Sequence, residues 1–293
     1  MLVNTALIGL REGLEAGLVV TILVAFLKKS DNHAKLFIVR NGVLCALVVA
    51  VAAGAVLTFT AAQLSDRGQE LFAAVTSLAA VAMVTGMIFW MRHPVQAVHA
   101  QLRGQMTDAL RIGGFAVFMV PFIAVLREGL EAAIFVLVAA QGAETGTLRP
   151  LVSFTGGLAV AIVLTWLIYQ GAVRIDFRKF FTATGFLLIF VAAGFFGHGF
   201  RDFQQAGVLP GEGAIAFDIS WLLPLDTIHG SLLYGIFSIS TKPTFLEVLT
   251  WAGYLIVVVT LFVRAMRMPR ELAPHSPAAA PQASTEIQEP DRV

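Results

Sequence analysis

Long apolar segments alternate with short polar connections along this chain of 293 residues. Each of seven segments is about 18 residues or longer, the length that a helix needs to cross the hydrocarbon core of a membrane. The pattern predicts an all-α polytopic membrane protein with seven transmembrane helices. The segments are Asn4–Leu27, Gly42–Ala62, Leu71–Met91, Gly113–Ala140, Leu151–Gly171, Phe180–Phe200 and Leu246–Val263.

The composition agrees with a membrane protein and excludes several other classes. Hydrophobic residues make up 57% of the chain and charged residues 13%, against roughly 25% charged in soluble domains. A soluble fold would need more polar surface than this chain offers, so an ordinary soluble enzyme and a nucleic-acid binder are excluded. The single cysteine, Cys45, excludes a disulfide framework and a thiolate-bound metal cluster.

The basic residues in the connections predict how the chain crosses the bilayer. The first connection holds four, Lys28, Lys29, Lys35 and Arg40; the third and fifth hold three each, and the tail begins with three more. The remaining connections hold two at most. Because Lys and Arg concentrate on the cytoplasmic side, this alternation predicts an N-terminus outside and a C-terminus in the cytoplasm.

A repeated heptapeptide predicts an internal duplication. The sequence Leu-Arg-Glu-Gly-Leu-Glu-Ala occupies positions 10–16 and again positions 126–132. Two units of three spans each must enter the membrane from opposite sides, which is the inverted repeat common in transporters. The predicted organisation is a first three-helix repeat at 1–111, a second at 112–202, an outer loop at 203–245, a seventh helix at 246–267 and a disordered cytoplasmic tail at 268–293.

The repeated heptapeptide brings charge into two membrane spans. It contributes Arg11, Glu12 and Glu15 to the first span, and Arg127, Glu128 and Glu131 to the fourth. Glutamates three residues apart share one helical face, and arginine can pair with the glutamate four residues on. Each such charge costs about 2.5–3.5 kcal/mol at the centre of a membrane helix, so these side chains are expected to face a protein interior or a water-filled path.

Four carboxylates against two guanidiniums leave a net negative site that a cation would neutralise. Carboxylate oxygens are hard ligands, suited to Mg²⁺, Ca²⁺, Mn²⁺ or iron rather than Cu⁺. We therefore predict a metal site of Glu12, Glu15, Glu128 and Glu131, with Arg11 and Arg127 as charge partners. Three other interpretations stay open: a network that only locks two helices together, a proton relay, and a duplicated scaffold that transports nothing.

The doubled Arg-Glu-Gly-Leu-Glu motif in the first and fourth spans resembles the oxidase-dependent iron permease family, and the resemblance covers the chain from Leu2 to about Val263. The resemblance implies an iron importer of the bacterial inner membrane, not an enzyme, with iron as the transported substrate, the motif glutamates as its ligands and no organic cofactor. It also implies a partner, an extracytoplasmic oxidase or iron-donor protein. A permease for Pb²⁺ or Mn²⁺ and a non-transporting membrane redox subunit are the alternatives.

Further polar residues near the predicted outer face are candidates for a secondary iron path. His198 and Asp202 lie four residues apart at the end of the sixth span, where a helix end meeting water is the simpler interpretation. The outer loop adds Asp218, Asp226 and His229, which solvation alone would also explain. The resemblance extends to Gln204–Pro210 and to the segment around Trp221 in the same loop.

Overall fold

The computed structural model describes residues 2–90, 95–141, 148–172, 176–219 and 240–267. The part of the predicted outer loop that contains Trp221, Asp226 and His229, and the predicted tail from Met268 onward, lie outside the described residues. Over the described ranges the chain is all-helical, which confirms the predicted class. The α-helices are α1 (Leu2–Lys29), α2 (Leu36–Gln63), α3 (Asp66–Trp90), α4 (Val95–Ile112), α5 (Gly114–Gln141), α6 (Leu148–Tyr169), α7 (Phe177–Gln205) and α8 (Phe245–Arg267).

Five of the described helices, namely α2, α3, α6, α7 and α8, are long and apolar enough to cross a membrane. Helices α1 and α5 have 28 residues each, or about 42 Å at 1.5 Å per residue, which exceeds the roughly 30 Å of hydrocarbon. They differ from the five because each carries the three charged residues of the heptapeptide. Each of the seven predicted segments coincides with one of these seven helices, and the boundaries differ by up to six residues.

Helix α4 was not predicted, since the sequence analysis treated residues 92–112 only as a basic connection. Its buried residues Leu102, Met106 and Ala109 follow one another by four and three positions, whereas Arg103 and Asp108 between them are exposed. This is the 3.6-residue period of an amphipathic helix. The apolar face of α4 joins a buried cluster with Leu23 and Leu27 of α1, Val39 of α2 and Val117 of α5.

The helices pack in two exchanged pairs, each of which combines one helix from the first predicted repeat with one from the second. Helix α1 lies along α6, with Gly9 against Phe154 and Gly17 against Thr165. Helix α2 lies along α5 in the same manner, with Gly42 against Phe118 and Gly54 against Ala133. In each pair the residue numbers rise together, so the two helices are parallel.

The two parallel pairs meet along α1 and α5, which run in opposite directions. Ile8 near the start of α1 shares an apolar cluster with Phe135 and Val138 in the second half of α5. Leu27 at the end of α1 shares another with Val117 at the start of α5. Helix α3 packs on α7 and α7 on α8, so these three flank the pairs. The middle of α1 therefore faces the middle of α5.

Candidate metal centre between α1 and α5

The two heptapeptides meet where α1 and α5 cross. Glu12 of α1 and Glu128 and Glu131 of α5 each offer one carboxylate oxygen, and the three oxygens all lie within 4.8 Å of one another. We call these three residues the carboxylate cluster. Glu12 is 3% exposed and Glu131 is 7% exposed, while Glu128 is half-buried. Three carboxylates from two different helices thus converge in the middle of the bundle.

The arginines of the heptapeptides pair within their own helices, as their spacing predicts. The Nε atom of Arg11 donates to Oε1 of Glu15 at 3.1 Å. The Nε atom of Arg127 donates to Oε1 of Glu131 at 3.0 Å. Glu131 therefore belongs both to an ion pair and to the carboxylate cluster, whereas Glu15 belongs to an ion pair and lies outside the group of three.

Several oxygens of the cluster are buried without a donor. Both carboxylate oxygens of Glu12, and Oε2 of both Glu128 and Glu131, receive no hydrogen bond from an N–H or hydroxyl group of the described residues. Buried carboxylates without donors are costly, and a bound cation is one of the few ways to offset that cost. With only hard oxygen donors on offer, the cluster suits a divalent or trivalent hard cation.

The other predicted site residues that the structure describes, His198, Asp202 and Asp218, lie away from the cluster. Nδ1 of His198 is 3.3 Å from Oε1 of Glu247, and Asp202 follows one turn later on α7, half-buried. Asp218 pairs with Nζ of Lys242 at 3.1 Å. None of these residues is in the carboxylate cluster, which lies at the middle of α1 and α5 rather than at the end of α7.

Glu247 is a buried charged residue that the sequence analysis did not single out. It is 1% exposed, and its carboxylate accepts hydrogen bonds from Oγ of Ser240 at 2.9 and 3.0 Å. Its backbone N–H donates to Oγ1 of Thr244 at 3.2 Å. Thr244-x-x-Glu247 is the sequence signature of a helix N-terminus, so the pattern could have drawn attention to this residue although not to its partners.

A cavity of about 500 Å³ opens close to this end of the bundle. It is lined by Asp66, Arg67, Glu70, Gln205, Ala206, Gly207 and Glu212. Beside it, Nε2 of Gln204 donates to the carbonyl oxygen of Pro210 at 2.9 Å, while Oγ1 of Thr244 donates to Oε1 of Gln204 at 2.8 Å. The segment Gln204–Pro210 is therefore tied to the start of α8. No residue of either heptapeptide lines the cavity.

A bundle of long apolar helices with charged side chains gathered at its centre defines an integral membrane protein whose polar chemistry lies inside the bundle. The Iron permease FTR1 family model matches residues 2–272, and the chain belongs to that family. This membership confirms the resemblance found in the sequence.

Curated relatives match over most of their length. A protein of Escherichia coli O6:K15:H31 (strain 536 / UPEC) named Ferrous iron permease EfeU is 37% identical over 260 residues, which cover 88% of this chain and 94% of the relative. A protein of the same name from Yersinia pestis is 36% identical over 277 residues, covering 94% and 96%. These relatives are named as permeases, which confirms the expectation of a transporter rather than an enzyme. No solved structure matches the chain significantly.

Proposed function

We propose that this protein imports iron across the bacterial cytoplasmic membrane and that the carboxylate cluster is its transport site. The observation that carries the proposal is the convergence of Glu12, Glu128 and Glu131 within 4.8 Å, which joins both copies of the repeated motif. Family membership supports iron as the cargo, and the relatives are named for ferrous iron. We therefore take Fe²⁺ as the ion that is supplied to the protein.

The cluster would hold the cation with oxygen ligands from two helices. Glu12 comes from α1, and Glu128 and Glu131 come from α5. Arg127 holds one oxygen of Glu131 and leaves the other for the cation. Arg11 pairs with Glu15. This pairing neutralises the charge of the fourth carboxylate and keeps it close to the cluster. The six charged groups together carry two net negative charges when all are ionised, which one Fe²⁺ ion neutralises.

The protein is proposed to have two inverted three-helix repeats and to span the membrane seven times, with its N-terminus outside. The exchanged pairing of α1 with α6 and of α2 with α5 supports the repeat, because interchanging the two repeats turns one pair into the other. The antiparallel crossing of α1 and α5 supports its inversion. A site where two inverted repeats meet lies near the membrane midplane. The oxidase or iron donor outside the membrane is a proposed partner that rests on family resemblance.

The test is iron uptake by liposomes that contain the purified protein. Glu12→Gln and Glu128→Gln each keep the size of the side chain and remove a charge from the cluster, so uptake is expected to fall to the level of empty liposomes. Asp108→Asn is the matched control, because Asp108 is an exposed acid on α4, and uptake should persist. Normal uptake by both glutamine variants, in protein that has inserted, would overturn the proposal.

A further inference from the structure

The two copies of the heptapeptide are identical in sequence but differ in exposure. The side chain of Arg11 is 1% exposed, whereas that of Arg127 is 49% exposed. Leu14 is 0% exposed, whereas its counterpart Leu130 is 37% exposed. Since the residues are the same, the difference comes from their surroundings, and the fold buries the copy on α1 while it leaves one side of the copy on α5 open.

The open side of α5 is a short stripe of exposed residues beside the carboxylate cluster. Ile123, Arg127 and Leu130 follow at intervals of four and three residues, which places them on one helical face, and Ile123 is 62% exposed. About two turns beyond Leu130, Leu137 and Val138 are each 5% exposed. We call Ile123, Arg127 and Leu130 the open stripe; the same face of α5 is half-buried at Val120 toward its beginning and buried at Leu137 and Val138 toward its end.

The charge of Arg127 indicates whether water or lipid contacts the open stripe. A guanidinium facing lipid near the middle of a span costs about 2.5–3.5 kcal/mol even on insertion scales, and charged side chains in spans accordingly face protein or water. Arg127 cannot withdraw toward a membrane surface without releasing Oε1 of Glu131, to which it donates at 3.0 Å. About half of the Arg127 side chain is exposed, and for this exposed part water suits the charge better than lipid does.

We propose that the open stripe is the hydrated route between the carboxylate cluster and the aqueous phase on the side where α5 begins. The inference rests on the proposed function, since it takes the cluster as the transport site, and it adds the direction from which that site is reached. The corresponding face of α1, at Arg11 and Leu14, is buried. In the proposed topology α5 begins in the cytoplasm, so the route is the one by which the ion leaves.

The experiment measures how fast single cysteines react with a charged, water-soluble methanethiosulfonate reagent in protein held in nanodiscs. Only a thiolate reacts readily, and it forms in water rather than in lipid. All variants carry Cys45→Ala. Leu130→Cys and Ile123→Cys lie on the open stripe, Leu14→Cys is the same heptapeptide position on α1, and Leu137→Cys lies at the closed end. Val163→Cys on α6 is the lipid control, since Val163 is 56% exposed and apolar neighbours surround it in the sequence.

Leu130→Cys and Ile123→Cys are expected to react about tenfold or more faster than Leu14→Cys, Leu137→Cys and Val163→Cys, because only the stripe offers water to a thiolate. The use of two stripe positions covers the case in which one variant does not fold. Reaction at the rate of Val163→Cys would overturn the route in favour of lipid. Oxidative cross-linking of two Leu130→Cys chains would overturn it in favour of an interface between copies.

The same variants are assayed for iron uptake in liposomes, which separates this inference from the proposed function. Uptake by the Cys45→Ala parent together with unreactive stripe cysteines would overturn the route and leave the function in place. Reactive stripe cysteines together with a parent that takes up no iron would support the hydrated stripe and count against the function.

Discussion

Gly13 of α1 lies so close to Ala161 of α6 that a Cβ atom on the glycine would come within 2.6 Å of the alanine Cβ. Gly129 of α5 has the same relationship to Ala50 of α2, again at 2.6 Å. Both glycines are the fourth residue of the heptapeptide. Each copy of the motif thus contributes at least one glutamate to the carboxylate cluster and directs its glycine toward the helix that runs parallel to it.

This close packing makes glycine substitutions on α6 strongly position-dependent. In Gly157→Ala the new methyl group would collide with the carbonyl group of Ala6 and lie 2.9 Å from the backbone nitrogen of Leu10. Because backbone atoms cannot move aside cheaply, we expect a loss of about 1–3 kcal/mol and a lower apparent Tm in detergent. Gly156→Ala is the matched control, since no atom lies within 4 Å of its methyl position. Equal Tm values for the two variants would contradict the close approach of α1 and α6.

The glutamates of the two motifs are expected to contribute unequally to iron binding. Glu131 lies in the carboxylate cluster and Glu15 does not, so Glu131→Gln should weaken iron binding more than Glu15→Gln. For Glu15→Gln the affinity for iron is expected to fall by about tenfold at most, which is the low end of the range for groups that support metal ligands. Calorimetry of Fe²⁺ binding to the detergent-solubilised protein without oxygen measures both. Equal losses would indicate a symmetric site of four carboxylates.

Competition by other metals should follow the ligand type. A site made of carboxylate oxygens prefers hard cations, so excess Mn²⁺ is expected to reduce iron uptake in liposomes. Cu⁺ prefers sulfur ligands and should leave uptake unchanged at the same excess. Inhibition by Cu⁺ as strong as that by Mn²⁺ would mean that the path contains soft ligands outside the cluster.

The buried hydrogen bonds between Glu247 and Ser240 should couple the start of α8 to the segment before it. We expect Glu247→Gln and Ser240→Ala each to lower the free energy of unfolding, with a coupling of about 1–3 kcal/mol between them. The double-mutant cycle is measured by thermal unfolding. Glu247→Gln combined with Thr107→Ala is the control, because the hydroxyl of Thr107 bonds to a backbone carbonyl of its own helix α4 and the two effects should add.

The seven long helices and the approach of the two motifs could be predicted from the sequence, because apolar length and helical spacing are local properties. Helix α4 was not predicted since its apolar residues Leu102, Met106 and Ala109 occupy only one face, and its average composition is that of a polar connection. The signal was present in the four- and three-residue spacing, which a search for long apolar segments does not use.

The finer features of the site depend on contacts between distant parts of the chain. Identical heptapeptides give no reason to expect that Glu131 joins the cluster while Glu15 does not, or that Arg127 is open and Arg11 closed. Those differences arise from the helices around each copy. His198 and Glu247 likewise lie 49 positions apart in the sequence. Their contact follows from the packing of α7 on α8.

The three charged residues within α1 also bear on how the protein is made. Helix α1 is synthesised before its parallel partner α6, which begins only at Leu148, after the described helices between them. In the proposed topology, Arg11, Glu12 and Glu15 therefore reach the membrane before the helix that packs against Gly13. The pairing of Arg11 with Glu15 lies within one helix, so α1 forms it without α6. We expect this ion pair to lower the cost of placing the two charges in the membrane before α6 has been made.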